Sequence, residues 1–262
     1  MNLLRNKIYI LIFIITSFFL SKVTPQENLF IEYDKIDDYN INTEITENYI
    51  STPDSIEHKK FVDTLSSGQN VKYLSNTFKS FSINRYDNTN IKIDGDLNET
   101  VWNKASRFAN YCEISPGENT KPQVETEVMM YYDDDNLYFG FICYENDISK
   151  LRKTLCERDK MFSDDFCGFF LDTYNEGRQA YELFVNPYGI QGDLMWNTPG
   201  NEDDTFDMIW YSEAKVYKDK WTIEIAIPFK SIRFPNKKVQ DWQIQFLRIR
   251  PRENRYQYSL MP

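Results

Sequence analysis

Residues 221–227 read WTIEIAI, so Trp221, Ile223, Ile225 and Ile227 alternate with Thr222, Glu224 and Ala226. In a strand, successive side chains point to opposite faces, and this alternation is the mark of a half-buried antiparallel strand. An apolar strand face needs a second sheet to cover it. The chain supplies the material for one. Residues 126–132 (TEVMMYY) and 137–144 (LYFGFICY) flank the polar turn 133–136, which predicts a β-hairpin. Further strands are predicted at 166–172, 180–186, 209–217 and 242–249, with turn residues between them. Aromatic residues make up 16% of the chain, and most are Tyr and Phe, which suit strands. The expected fold is all-β: a two-sheet antiparallel β-sandwich with one or two short helical turns. The turns are expected at 97–104 and 229–232. In the first, Leu97, Val101 and Trp102 are placed to plug one end of the sandwich.

Upstream of this pattern the sequence changes character. Arg5 and Lys7 precede an apolar run over residues 8–20, followed by small and polar residues up to Gln26. The run is too short for an ordinary transmembrane helix, and its order is that of a secretory signal peptide. Residues 1–26 are therefore read as a leader that sends the chain through the secretory pathway to the periplasm, outer membrane or cell surface. Residues 27–78 are rich in Asp, Glu, Asn, Ser and Thr and are read as a polar, flexible spacer. The single histidine, His58, lies there, which leaves the folded part without a Ser-His-Asp or Cys-His arrangement. Cys112, Cys143, Cys156 and Cys167 have no C-x-x-C spacing, so a zinc site is not indicated. Export makes disulfides available, but four cysteines allow three pairings, and the sequence does not choose between them or buried free thiols. The net charge of −10 repels phosphate backbones and argues against a nucleic-acid partner.

From residue 91 the landmarks stand in a fixed order: IKIDGDLNETVWNKA, TEVMMYYDDDNLYFGFICYEND, SDDFCGFFLDT, YELFVNPYGIQGD, WTIEIAIPFKSIRF and WQIQFLRIRPREN. This series resembles the carbohydrate-binding module family 9 type of domain, over residues 79–262. It is most similar to the version at the head of bacterial outer-membrane proteins that carry a C-terminal β-barrel of unknown function. Those relatives continue further, which leaves open that this sandwich lacks its last strand. The resemblance implies a β-sandwich, bound Ca²⁺ and non-catalytic capture of an oligo- or polysaccharide, with a glycoside hydrolase or an outer-membrane protein as partner. Carried over by position, it places Phe162 where the family has one Trp wall and Asn186 where it has a sugar-binding amide. Phe184 stands where it has an Arg, and Gly168 where it has a carboxylate. The second Trp wall falls beyond the last landmark.

Sugars stack their C–H faces on aromatic rings and exchange planar hydrogen bonds with amides and carboxylates. The expected ligand-binding set is therefore Phe162, Asn186, Tyr188 and Trp196. Tyr188 and Trp196 sit beside Gly189 and Gly192, which let a loop approach a ligand. Trp210 opens a predicted strand and is read as packing. Asp164, Asp165 and Asp172 flank the strand at 166–172 and are the expected calcium ligands, while the acidic run 133–136 is read as a turn. A glycosidase would need two carboxyl groups about 5–9.5 Å apart. Only Glu182 and Glu224, both on predicted strands, are candidates, and the chain is expected not to be a catalyst itself. The alternative to sugar capture is a structural or interaction head domain of an outer-membrane assembly, without sugar affinity.

Overall fold

A computed structural model describes residues 8–12, 73, 75–76, 80–87 and 89–262. The strands in chain order are β1 (Ile8–Ile12), β2 (Ser80–Ile83), β3 (Ser106–Phe108), β4 (Cys112–Ser115), β5 (Thr126–Tyr132) and β6 (Asn136–Tyr144). They continue with β7 (Phe166–Asp172), β8 (Gln179–Val185), β9 (Gln191–Asn197), β10 (Asn201–Asp203) and β11 (Tyr211–Val216). β12 (Lys220–Pro228), β13 (Gln240–Pro251) and β14 (Arg255–Ser259) complete the series. One sheet runs β10-β9-β8-β7-β13-β1-β2, with β14 paired to β13 and β4 paired to β14. The other runs β11-β12-β6-β5-β3. Every pairing is antiparallel except that of β1 with β13.

The expected sandwich is what the chain builds. β5 and β6 form the predicted hairpin, with Asp133 Oδ1 accepting from the backbone N–H groups of Asp135 and Asn136 at its turn. β1 lies within the apolar run assigned to the leader. The rest of residues 1–26, and the spacer apart from a few positions at its end, lie outside the described residues. Two of those positions are docked on the sandwich. Tyr73 donates to Tyr111 O at 2.7 Å, and Asn76 Nδ2 donates to Ala109 O and Leu260 O at 2.9 Å.

Trp221, Ile223, Ile225 and Ile227 enter the core between the sheets, facing Phe169, Leu183, Ile244 and Phe246 of the other layer. The opposite face of β12 is not exposed, contrary to the half-buried expectation. Thr222, Glu224 and Ala226 are buried as well, because residues 91–105 lie across that face of the sheet. Val101 and Trp102 pack there against Met129, Tyr131 and Tyr138. The expected end plug is thus an outer cover, and it is a string of turns rather than a helix. The second expected helical turn is present as a single 3₁₀ turn at Phe229–Ser231, and another occupies Ile148–Lys150.

Glu224 explains why the IDG landmark and its downstream Trp occur together. Its Oε2 accepts from Asp94 N at 2.8 Å and Gly95 N at 2.9 Å, while Oε1 accepts from Trp102 Nε1 at 2.9 Å. Gly95 has φ +79°, and a Cβ there would lie 2.7 Å from the Ala214 carbonyl carbon, so only glycine fits. Burial outweighs the three donors and pushes the Glu224 carboxyl up to about 7.

At one end, a buried ion cluster ties the two sheets. Glu145, just past β6, accepts from Arg248 Nη2 at 2.6 Å, Arg250 Nε at 3.1 Å and Arg252 Nη2 at 3.0 Å. Arg252 also meets Asp165 at 2.7 Å, and Arg248 donates to Glu125 O and Tyr144 O.

Candidate functional site

The four expected ligand residues do not meet in one place. Asn186 is fully buried, and its amide is committed inside the protein. Nδ2 donates to Thr154 O and Asp164 Oδ2, and Oδ1 accepts from Tyr188 N and Ile190 N, which shapes the turn after β8. Phe162 packs edge-on against Phe166 and Phe184, over the outer face of the β7–β9 layer. Gly192 makes room for it, since a Cβ there would lie 2.7 Å from the Phe162 ring. The face that the resemblance assigns to sugar is therefore filled by apolar side chains: Met161, Phe166, Phe184, Leu194 and Ile249. Trp196 stands further along the same outer face, beside Phe170, Ala180 and Gln245. Tyr188 is the exception. Its ring is 48% exposed, with Lys153 Nζ 4.8 Å from the centroid.

Beyond Tyr188, from Gly189 on, the chain lines a groove of about 640 Å³. The groove opens where the turn 186–191 meets β11, at an edge where the two sheets approach. Trp210, Tyr211, Ser212 and Glu213 form one wall, and Gly189, Ile190 and Gln191 form the other, with Arg158 and Ile93 completing it. Gly189 has φ +78°, and its open side faces Glu213. Gln191 Nε2 donates to Trp210 O at 3.2 Å and holds the walls together. Tyr211 is 53% exposed and its neighbour Ile209 is 67% exposed. Trp210 Nε1 and Ser212 Oγ are buried without a hydrogen-bond partner, and by alternation along β11 Trp210 and Ser212 share the core side with Ala214 and Val216, opposite to Tyr211 and Glu213. Arg158 is fixed at the rim by Asp193 Oδ1 and Met208 O. The contact with Asp193 holds its guanidinium in the charged form.

The expected calcium ligands do not form a cage. Asp172 closes β7 and accepts from four backbone N–H groups, those of Tyr174, Asn175, Glu176 and Gly177. Asp164 accepts from Thr154 N, Thr154 Oγ1 and Asn186 Nδ2, and Asp165 Oδ2 from Arg152 N and Arg252 Nη1. Asp172 stands at the far end of the strand from the other two, roughly 20 Å away at the extended rise per residue. These contacts go to turns and an ion pair, and Asp165 Oδ1 is left buried without a hydrogen-bond partner. Asp159, Asp193 and Asp207 do converge, with oxygens within 4.8 Å of one another, but Arg158 already lies among them.

Glu182 and Glu224 do not make a glycosidase pair. Glu182 alternates with the core residues Tyr181 and Leu183, and Glu224 alternates with Ile223 and Ile225. Both carboxyls therefore lie on outer faces, of opposite sheets, with the whole sandwich between them. Stacked sheets alone are about 10 Å apart, beyond the range for a retaining or inverting pair. Glu182 is 3% exposed, and one of its oxygens has no partner.

Residues 93–246 match the family model described as carbohydrate family 9 binding domain-like. The chain belongs to that family. Domains of this family are non-catalytic binding modules, in line with the separated carboxyls. Two solved structures are similar in architecture, both of a carbohydrate binding module family 9 from Caldicellulosiruptor kristjanssonii. The complex with glucose is 14% identical, covers 67% of this chain and 84% of its own, and has a TM-score of 0.44. The complex with cellotriose is 16% identical, covers 68% and 83%, and also has a TM-score of 0.44. No curated protein matches the chain.

Proposed function

We propose that this exported sandwich binds an oligo- or polysaccharide in the groove between the turn 186–191 and β11, without acting on it chemically. Membership of a carbohydrate-binding family supports the ligand class. The observation that carries the position is the groove itself, where exposed Tyr211 stands with the polar side chains of Gln191, Glu213 and Arg158. Aromatic faces suit the C–H surface of a sugar ring. Gln191, Glu213 and Arg158 suit its hydroxyls. Capture then serves a polysaccharide-degrading partner or an outer-membrane assembly. Export rests on the leader-like residues 1–26.

Calorimetric titration of the full chain with gluco-, xylo- and manno-oligosaccharides tests the reading. Tyr211→Ala is expected to weaken binding roughly tenfold, the effect of losing about 1.4 kcal/mol of contact. Phe162→Leu is expected to leave affinity unchanged. No heat from any sugar with folded protein favours the second reading, an interaction domain without sugar affinity. One observation supports that alternative: Asn186 and Phe162 are both used up in internal packing. Retained binding in Tyr211→Ala moves the site elsewhere.

A further inference from the structure

The loop 229–239 joins β12 of one sheet to β13 of the other, at the end of the sandwich opposite the Glu145 cluster. Its sequence, FKSIRFPNKKV, sorts into two sets of side chains. Phe229, Ile232 and Phe234 turn inward, and the rings of Phe229 and Phe234 pack against Trp242. Lys230, Arg233, Lys237 and Lys238 are exposed. The backbone that carries them is held in place. Phe229 N donates to Asp135 O at 2.8 Å, and Arg233 N to Tyr181 Oη at 3.0 Å. Gln240 Nε2 donates to Pro235 O at 2.9 Å and Lys237 O at 2.8 Å, and Thr173 Oγ1 donates to Arg233 O.

Among the described residues, none of the four cationic side chains forms an ion pair or a hydrogen bond with a protein group. Of the carboxylates around this end, Asp134 pairs with Arg85, and Asp172 takes the backbone N–H groups of its own turn. Asp135 and Asp241 are exposed and joined to none of the four. The chain as a whole carries −10, so this loop is a local excess of positive charge on an acidic protein. Repulsion from distant carboxylates does not cancel it, since exposed charges more than about 8 Å apart are largely screened at physiological salt. The loop also adjoins the groove. Tyr211 stands opposite Ala226 in the β11–β12 pairing, and the loop begins at Phe229, roughly 10 Å further along at the rise of a strand.

We propose that the bound saccharide is acidic, with sugar rings in the groove and carboxylate or sulfate groups against Lys230, Arg233, Lys237 and Lys238, which rests on the groove being the saccharide site. The groove supplies ring contact and hydrogen bonds, and the loop supplies the charge that selects an acidic chain over a neutral one. Because the loop backbone is already fixed, only the cationic side chains themselves are ordered on binding. An anionic lipid surface would meet the same charges but offers nothing to the groove, so the neighbouring groove favours a glycan.

The test is calorimetric titration of the full chain with glucuronate, galacturonate and mannuronate oligosaccharides, each beside its carboxyl-methylated, uncharged form. At least one acidic oligosaccharide is expected to bind roughly tenfold more tightly than its methylated form. That advantage is expected to fall by about the same factor between about 50 and 200 mM salt, as counterions compete for the loop. The triple variant Lys230→Gln/Lys237→Gln/Lys238→Gln is expected to remove the advantage and to keep the affinity for the methylated form. If the triple variant does not fold, Lys237→Gln/Lys238→Gln and the salt dependence of the unaltered chain carry the comparison. Equal affinity for charged and methylated forms, or an advantage that survives in the lysine variant, overturns the inference and leaves the groove as a site for neutral sugars. Binding to phosphatidylglycerol vesicles that the lysine variant loses, without any preference for acidic sugars, overturns it in favour of a lipid surface. No binding of any sugar, charged or neutral, overturns the groove as well.

Discussion

Replacing Glu145 by Ala is expected to cost about 3–5 kcal/mol of stability, the usual penalty for stripping the counter-charge from buried ions. Glu145 is buried and takes hydrogen bonds from Arg248, Arg250 and Arg252, which are themselves at most 6% exposed. Removing it leaves the three guanidinium groups with Asp165 as their one ion-pair partner, beside carbonyls, the Thr126 hydroxyl and Gln123. None of them escapes by losing its proton, since arginine stays charged in proteins. The melting temperature is expected to fall by roughly 10 °C or more, as read by calorimetry. Glu145→Gln keeps acceptor geometry without charge and should fall between the two. Equal stability of Glu145→Ala and the unaltered chain would show that the arginines find water or other acceptors.

The second large effect depends on pH. Burial, together with the nearby carboxylate of Glu202, pushes the Glu182 carboxyl from 4.5 up to about 8. Between those two values the folded protein holds a proton that the unfolded chain has released. The contribution of Glu182 to stability is therefore complete below pH 4.5 and is lost as pH rises through 8. The span corresponds to at most on the order of 5 kcal/mol. Glu182→Gln cannot ionise, so the variant should gain on the unaltered chain as pH is raised from 5 to 9. Denaturant melts of both proteins across that range measure the difference, which cancels Glu224 and the cysteines because both proteins retain them. Parallel curves would mean that Glu182 ionises in place with help from water.

Much of the sandwich was legible from alternation alone. WTIEIAI placed its four apolar residues in the core because a period of two fixes the face whatever the neighbours are. What alternation misjudged was the second face. Arg248, Arg250 and Arg252 recur at that same period, and their side chains are buried because Glu145 and Asp165 come from distant segments to meet them. Asn186 was recognisable as a special residue, but its role is to brace the turn, since all four of its hydrogen-bonding positions are taken within the protein. The groove was harder to see. Arg158, Gln191 and Tyr211 have no local spacing that relates them and meet only when the edges of the two sheets are brought together. Trp210, read as packing, both packs in the core and lines the groove.

β13 has a consequence for how the molecule comes into being. Its twelve residues, Gln240–Pro251, pair with β7 along one edge and with β1 and β14 along the other. The strands between β7 and β10 can associate in sequence order, but the sheet has no centre until residues 240–251 are available. Pairings of such long sequence separation carry a large closure entropy, which places folding in the slow range typical of β-sandwiches, milliseconds to seconds. Until then the aromatic core faces stay uncovered. A chain built in this order remains open and threadable until residues 240–251 have been made, and needs protection from aggregation over the same interval.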